Sequence, residues 1–279
     1  MCELLALSCS QPARLTFSLR TLAARGGPAG RSHDGWGVAF YQGSDVALFR
    51  EPLAAADSAL VRFLESQGPA TELAMSHIRH ATQGGLSLAN TQPFARTLGG
   101  RMHVFAHNGD LPGIFTNEAL APGSFHPVGQ TDSEHAFCAL LSRLAVLYRA
   151  GAQPTLRERR SVLTAFAAEL RTLGPANFLY ADGDALFAHG DRRMQAAGGR
   201  AAAPGLWVLP RECAATPAGG NALAGVAIEI TPRFSTLVAS VPLSEADWQP
   251  LAEGELLVVR SGTLVPDEPT GPDARKAPQ

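Results

Sequence analysis

The sequence is poor in cysteine and has no excess of basic residues. Its four cysteines among 279 residues form no C-x-x-C pair, so neither a zinc knuckle nor a redox dithiol is predicted, and a disulfide framework is not expected. The formal net charge of -2 leaves no surplus of positive charge to neutralise phosphates. Nucleic acid and an anionic membrane are therefore not expected as partners, and a small molecule is the default ligand.

Long apolar runs are also missing. The first ten residues lack a positive segment before their short apolar stretch, and no later run has the length required to span a bilayer. We therefore expect a cytoplasmic protein with reduced thiols. Hydrophobic residues make up 46% of the chain and charged residues 17%, which is typical of a globular protein with enough apolar side chains for a sizeable core.

The first half of the chain contains strand patterns. Residues 3–8 form a short apolar run typical of a buried strand, and residues 36–41 with 46–49 predict a hairpin. Residues 73–81 and 103–107 predict two further strands that end in polar residues, and such strand ends commonly carry functional sites.

Helix patterns follow in the middle of the chain. The sequence Thr131-Asp132-Ser133-Glu134 predicts a capping box, in which Thr131 accepts from a first-turn N–H and Glu134 reaches back. Apolar residues at helical spacing follow it, and a second helix is predicted from residues 155–158 up to Gly174-Pro175.

Strand patterns then return. Residues 178–180 and 185–188 flank the turn signal Asp182-Gly183. Strands are further predicted at residues 224–230, 236–241 and 256–260, a surface loop at 196–204, and a disordered tail at 266–279. Strands, then helices, then strands again favour an α+β protein of layered sheets and helices.

Cys2 could be a nucleophile that carries its own base. Excision of Met1 is favoured before a small residue and would leave a thiol and a free α-amine on Cys2. An α-amine has a pKa of about 8 and a thiol of about 8.5, so a modest shift lets the amine take the thiol proton near neutral pH. The structural alternative is that Cys2 is a buried hydrophobe at the start of a strand.

Three other features could bind a ligand, and each has a structural alternative. Arg79 lies where a strand gives way to a Gly-containing loop, which suits a bidentate grip on a carboxylate or a surface ion pair. Asn108-Gly109 offers an amide and a close backbone N–H for an oxyanion hole, or forms a simple turn. Asp132 could accept from an ammonium, or serve only the helix N-terminus.

Together these residues fit one ligand, which is glutamine. Arg79 would hold its α-carboxylate and Asp132 its α-ammonium, while Asn108 and the Gly109 N–H would stabilise the oxyanion formed when Cys2 attacks the side-chain amide. Ammonia would leave, and water would then release glutamate.

The same residues lie within motifs that strongly resemble those of the class II glutamine amidotransferases. The motifs occur in the family order, beginning with the N-terminal MCELL. They continue with His33-Asp34-Gly35-Trp36-Gly37, His77-Ile78-Arg79, Asn90-Thr91-Gln92-Pro93-Phe94, Ala106-His107-Asn108-Gly109 and Thr131-Asp132-Ser133-Glu134. Among these proteins the chain looks most similar to the stand-alone YafJ-type group, and more distantly to the γ-glutamyl amidohydrolase of ergothioneine synthesis.

The resemblance covers Cys2 to about Val265 and implies a fold and a set of roles. The implied fold is the four-layer αββα sandwich of the N-terminal-nucleophile hydrolases, with residues 1–265 as the amidotransferase domain. Cys2 is implied as nucleophile, and Asn108 and Gly109 as the oxyanion hole. Arg79 and Asp132 are implied to hold substrate, and we count Thr82, which follows the Arg79 motif, and His107 with them as candidate substrate-binding residues.

One departure from the family pattern is Gln92, where relatives often have histidine. Another is the Gly-rich loop 25–32. Four histidines invite a metal hypothesis, but their spacing matches no known zinc pattern, so no metal and no cofactor is predicted. These are His77, His80, His103 and His107. Cys9, Cys138 and Cys213 are interpreted as buried small hydrophobes.

Two other functions stay open at the level of sequence. The same nucleophile could act on a γ-glutamyl conjugate, because contacts to the glutamyl head group would be unchanged. Alternatively, the chain could be a non-catalytic glutamine-binding regulator, which retention of Met1 would favour. The sequence predicts no acceptor-binding synthase domain, so an enzyme that accepts the ammonia would be a separate partner.

Overall fold

The computed structural model describes residues 2–17, 34–80, 84–148, 153–195, 199–212, 221–223, 226–228 and 234–267. Three α-helices lie in these ranges: α1 (Ala59–Gln67), α2 (Asp132–Tyr148) and α3 (Leu156–Leu173). The strands of the first half are β1 (Glu3–Phe17), β2 (Trp36–Gln42), β3 (Asp45–Glu51), β4 (Ala70–Ile78), β5 (Phe94–Leu98) and β6 (Arg101–Gly109). Those of the second half are β7 (Ala176–Ala181), β8 (Leu186–Gly190), β9 (Arg193–Met194), β10 (Ala201–Ala202), β11 (Trp207–Glu212), β12 (Asn221–Leu223), β13 (Val226–Ile228), β14 (Phe234–Ala239), β15 (Gln249–Pro250), β16 (Glu255–Arg260) and β17 (Thr263–Leu264).

The strands form two large antiparallel sheets. The larger has the order β15-β11-β14-β1-β4-β2-β3, and in addition β13 pairs with β1 and β12 pairs with β13. The smaller has the order β17-β16-β8-β7-β6-β5, and β9 and β10 pair separately. The predicted hairpin is confirmed as β2 and β3, in which Tyr41 pairs with Val46 and Gln42 with Asp45.

Three apolar clusters lie between the layers. On β1, Leu5 and Leu7 point into a cluster that packs α1 against the larger sheet, whereas the alternate residues Leu4 and Ala6 point into a cluster between the two sheets. The third cluster packs α2 and α3 against the smaller sheet. The order helix, sheet, sheet, helices is the four-layer αββα sandwich, so the predicted fold class is confirmed.

Alternation along β6 repeats this division. Val104 and Ala106 lie in the cluster between the sheets, while Phe105 faces the helices. The Phe105 ring stacks on Phe137 of α2 with the ring centroids 5.4 Å apart. Side chains on β6 therefore point alternately toward the helices and toward the core between the two sheets.

The two predicted helix starts are confirmed, with one difference in detail. Thr155 and Glu158 form a full capping box at α3. At α2, Thr131 Oγ1 accepts from the Glu134 N–H at 3.2 Å, as predicted, but the Glu134 carboxylate accepts from the Gly129 N–H at 2.7 Å and from Arg96. Glu134 thus attaches α2 to the segment before it and to β5.

Several other predictions meet the structure only in part. The strand predicted at residues 73–81 is β4, which ends at Ile78, and β13 falls inside the strand predicted at 224–230. The predicted loop 196–204 contains the short strand β10. Cys213, the loop 25–32 and residues 268–279 of the predicted tail lie outside the described residues. None of the helices in the described ranges is long and apolar enough to cross a membrane.

Candidate active site

The start of β1 and the ends of β4 and β6 meet at one edge of the sandwich. Glu3 pairs with Ile78, so Cys2 and the residues after β4 lie side by side on the larger sheet. From the smaller sheet, the Asn108 side chain reaches Cys2 and donates through Nδ2 to its carbonyl oxygen at 2.6 Å. The first residue of the predicted site is therefore placed between the two sheets at their common edge.

The Cys2 thiol is held by the backbone of His80. Its Sγ accepts from the His80 N–H at 3.2 Å and donates to the His80 carbonyl at 3.3 Å, while the residue stays partly exposed. Met1 still precedes Cys2 in this chain, so the nitrogen of Cys2 is a peptide nitrogen. A thiol that is held by a fixed N–H donor on a partly exposed residue is the arrangement expected of a reactive cysteine rather than of a core side chain.

Opposing effects act on the pKa of the Cys2 thiol. Loss of hydration raises it most, and the nearby Glu3 carboxylate raises it further. The His80 N–H, the chain's ammonium and the Arg79 guanidinium lower it. Donors and positive charges close to the sulfur stabilise the thiolate and partly offset the desolvation penalty.

Asn108 is itself held from the neighbouring strand. It pairs with Asn177 of β7, whose Nδ2 donates to the Asn108 carbonyl at 3.2 Å and to the Arg192 carbonyl at 2.8 Å. Asn177 Oδ1 accepts from the Asp191 N–H at 2.8 Å. This buried amide therefore fixes the backbone that carries the candidate oxyanion donor, and it was not among the predicted residues because no local motif surrounds it.

Gly109 has a packing role beside its predicted one. A Cβ on Gly109 would lie 1.8 Å from the Pro175 carbonyl oxygen and 2.8 Å from His107 Nε2. The absence of a side chain therefore allows β6 to pass close to the start of β7. This contact lies on the opposite face of β6 from the Asn108 side chain.

The Arg79 guanidinium is buried and surrounded by carbonyl oxygens. Nη2 donates to Gly84 at 3.1 Å, and Nη1 to Gly85 at 3.3 Å and to Asp34 at 3.4 Å. Its backbone N–H donates to the Gly35 carbonyl at 2.8 Å. A guanidinium fixed in this way is oriented to bind an anion with little loss of side-chain entropy. Thr82, predicted beside it, lies outside the described residues.

Asp132 is the first residue of α2 and is attached to the end of β6. Its Oδ2 accepts from the Leu111 N–H at 2.9 Å, and its Oδ1 accepts from the N–H of Ser133 at 2.7 Å and from the Ser133 hydroxyl at 3.2 Å. The Asp132 carboxylate thus lies close in space to the backbone that follows Asn108 and Gly109. Its position at a helix N-terminus stabilises its negative charge.

His107 points to the other side of β6 from Asn108. Its Nδ1 lies 3.0 Å from Ser133 Oγ, and its ring is stacked beside Phe105 in the layer that faces α2. Burial lowers the pKa of His107, and Asp132 acts in the opposite sense. His107 is thus linked to the Asp132 carboxylate through Ser133, and its role in substrate binding stays a prediction.

Gln92 links the Asn90-Thr91-Gln92-Pro93-Phe94 motif to β6. Its Oε1 accepts from the His107 N–H at 2.6 Å and its Nε2 donates to the His107 carbonyl at 3.2 Å. The side chain thus pairs with the backbone as a neighbouring strand would. The departure from the family pattern at this position accordingly lies at the His107 backbone, one residue before Asn108, and not at the Cys2 thiol.

In the ranges that the structure describes, no three His, Cys, Asp or Glu side chains come together as a metal-binding group. The groups that meet at this edge are the Cys2 thiol, the Asn108 amide and the Arg79 guanidinium, while the Asp132 carboxylate binds the Leu111 N–H just after β6. A thiol beside an amide donor can add to a carbonyl carbon and stabilise the resulting oxyanion. The cation and the carboxylate can hold the two charges of an amino acid.

Comparison with known proteins identifies a family model and relatives that match this chain. The family model described as class-II glutamine amidotransferases matches residues 1–278. The chain is 34% identical over 263 residues to a protein of Escherichia coli (strain K12) that carries the name glutamine amidotransferase YafJ, covering 91% of this chain and 96% of that one.

Solved structures give the same result at the level of the fold. The crystal structure of a predicted glutamine amidotransferase from Pseudomonas aeruginosa PA01 matches with a TM-score of 0.68 and 33% identity over 95% of this chain and 100% of that one. Glutamine phosphoribosylpyrophosphate amidotransferase from B. subtilis, at 17% identity and a TM-score of 0.58 over 95% of this chain and 48% of that one, shares the fold. With its family model and its relatives in agreement, the chain belongs to the class II glutamine amidotransferases.

Proposed function

We propose that the mature protein hydrolyses the side-chain amide of glutamine through a γ-glutamyl thioester on Cys2. The observation that carries this proposal is the contact between the two sheets at Cys2, where the thiol meets the His80 N–H and the Asn108 amide lies against the Cys2 carbonyl. Such chemistry requires a reduced thiol, which is the state of cysteines in the cytoplasm, where we place the reaction.

The proposed reaction has two steps that share one base. The free α-amine of Cys2 takes the thiol proton, the sulfur bonds to the amide carbon, and Asn108 with the Gly109 N–H stabilises the oxyanion. The carbon–nitrogen bond then breaks and the amine returns its proton to the departing nitrogen, which leaves as ammonia. Water adds to the thioester with the amine again as base, and glutamate leaves with the thiol restored.

Two buried charges support glutamine as the ligand. Arg79, whose guanidinium is fixed beside Cys2, would bind the α-carboxylate, and Asp132 the α-ammonium. Both groups are nearly inaccessible to water, so each would contribute more to ligand binding than an exposed charge would. We also propose that Thr82 contacts the substrate.

Covalent labelling tests the proposal directly. Treatment of Met1-free protein with 6-diazo-5-oxo-norleucine should add one adduct, which mass spectrometry should locate on Cys2, and excess glutamine should slow the labelling. Cys9 and Cys138 are buried and serve as internal controls that should stay unlabelled. An unmodified Cys2 in protein that lacks Met1 would contradict the proposed nucleophile, and glutamine binding without ammonia release would favour a regulator.

Substitution of Arg79 tests the substrate contacts. Arg79→Lys keeps the charge but loses the planar pair of donors, so we expect KM for glutamine to rise about tenfold, which corresponds to ~1.4 kcal/mol of binding, with a smaller change in kcat. Steady-state ammonia release measures both constants. Arg62→Lys, on the exposed face of α1, is the matched control and should leave both unchanged. An unchanged KM in Arg79→Lys would exclude the carboxylate contact.

A further inference from the structure

A buried ion pair lies directly beside the nucleophile. Glu3, the residue after Cys2, is fully inaccessible to solvent. Its partner Arg193 of β9 is also buried. Arg193 Nη2 lies 2.8 Å from Glu3 Oε1, and Nη1 lies 3.4 Å from Oε2, which is a two-point contact. The two residues are 190 positions apart in the chain, so the pair links the nucleophile strand to the segment after β8.

Arg193 also holds the backbone that follows the nucleophile. It donates to the carbonyl of Ser240, which lies just after β14. Ser240 in turn accepts from the Leu4 N–H through Oγ at 3.0 Å, and its own N–H donates to the Leu4 carbonyl at 3.0 Å. Residues 3 and 4 are therefore fixed on one side by β4 and on the other by this buried polar cluster.

A gain in folding stability does not by itself explain the buried Glu3–Arg193 ion pair. Removal of two charges from water costs more than their attraction commonly returns, and apolar residues of similar size often serve a core as well or better. The ion pair lies next to the reactive residue, where charge has a chemical effect. An uncompensated Glu3 carboxylate would favour the protonated α-amine and the protonated thiol of mature Cys2, and both effects would oppose the proposed chemistry.

We propose that Arg193 is a positioning residue for the Cys2 nucleophile, which anchors Glu3 and cancels its charge so that thiol and α-amine can exchange a proton near neutral pH. This inference rests on the proposed role of Cys2. It assigns a function to β9, which none of the sequence motifs includes.

The other groups around Cys2 do not replace Arg193 in this role. Arg79 acts on the sulfur from the end of β4, but it is bound by the carbonyls of the following loop. Asn108 on β6 is uncharged, and burial lowers the pKa of His77 on β4 to about 3, so this ring is neutral. Burial raises the pKa of the Glu3 carboxyl, and Arg193, the chain's ammonium and Ser240 lower it, so Arg193 is the side-chain cation that favours the ionised form of Glu3.

The test follows the titration of the thiol independently of glutamine turnover. The rate at which iodoacetamide alkylates Cys2 is measured from roughly pH 6 to pH 10 in Met1-free protein, with the adduct located by mass spectrometry. In Arg193→Met, the midpoint should rise by about one pH unit, because the unpaired negative charge of Glu3 disfavours the thiolate, and alkylation at neutral pH should slow about tenfold. The basic shift should appear equally in the pH profile of kcat.

Two further variants separate charge from structure. Arg193→Lys keeps the positive charge and should keep the midpoint near that of the wild type. The double variant Glu3→Gln with Arg193→Met removes both charges and should restore the midpoint that Arg193→Met alone has lost. Circular dichroism establishes that each variant is folded.

The outcomes are distinct for each hypothesis. A midpoint unmoved in Arg193→Met, or one that stays high in the double variant, would overturn the role of Arg193. If the midpoints shift as expected while wild-type protein releases no ammonia from glutamine, the proposed function fails and the assignment of Arg193 stands.

Discussion

Replacement of Cys2 by alanine is expected to reduce glutamine hydrolysis to the assay background, a loss of roughly 10³-fold or more. The reason is that one residue supplies both the sulfur that bonds to substrate and, after Met1 excision, the amine that moves the proton. The variant should still fold, since Cys2 precedes β1 and its side chain contacts the His80 backbone rather than the core. Glutamate and ammonia release, measured together, report the loss.

The matched control is a second thiol of the same chain. Cys138 lies fully buried on α2, and burial raises its pKa to about 11, so its thiol is protonated and unreactive at neutral pH. Cys138→Ala should therefore keep wild-type turnover while losing some stability from the cavity that it leaves. Full activity in Cys2→Ala, or in protein that intact-mass measurement shows to retain Met1, would contradict the mechanism.

The fold followed from sequence where local patterns were strong. The β2–β3 hairpin and the caps at Thr131 and Thr155 were predictable because turn and cap residues act within a few positions of themselves. The helix α1 was not predicted, although Ser58 caps it by accepting from the Val61 N–H at 3.0 Å. A nine-residue helix carries too few apolar positions for its period to stand out.

Two adjacent residues of a motif on a strand cannot both point toward the same site, because their side chains lie on opposite faces of the sheet. His107 and Asn108 both lie in one motif, yet they face opposite layers because β6 alternates between the helices and the inter-sheet core. Strand period alone therefore argues that only one of the two can face Cys2. The remaining supports of the site, Asn177 and Arg193, come from positions 69 and 190 residues distant from their partners, and no local pattern encodes such contacts.

Replacement of Asn108 by alanine is expected to slow glutamine turnover by about 10²- to 10³-fold, which is ~2.7 to 4 kcal/mol of transition-state stabilisation. The loss should fall mainly on kcat, because the amide would act on the oxyanion rather than on the bound substrate. The variant should fold, because the backbone at position 108 keeps its pairing with Asn177. Only the bond from Asn108 Nδ2 to the Cys2 carbonyl is lost. Steady-state kinetics with glutamine provide the measurement.

Two comparisons decide whether the Asn108 donor itself is responsible. Asn108→Asp preserves the shape but replaces the amide donor with an acceptor, so it should be at least as slow as Asn108→Ala, because a carboxylate beside the developing oxyanion repels it. Asn117→Ala is the matched control, since this residue donates nothing to Cys2 and caps only a short turn through the Ala119 N–H at 3.0 Å. A twofold loss in Asn108→Ala, or wild-type turnover in Asn108→Asp, would exclude the oxyanion role and leave Asn108 only the support of the Cys2 backbone.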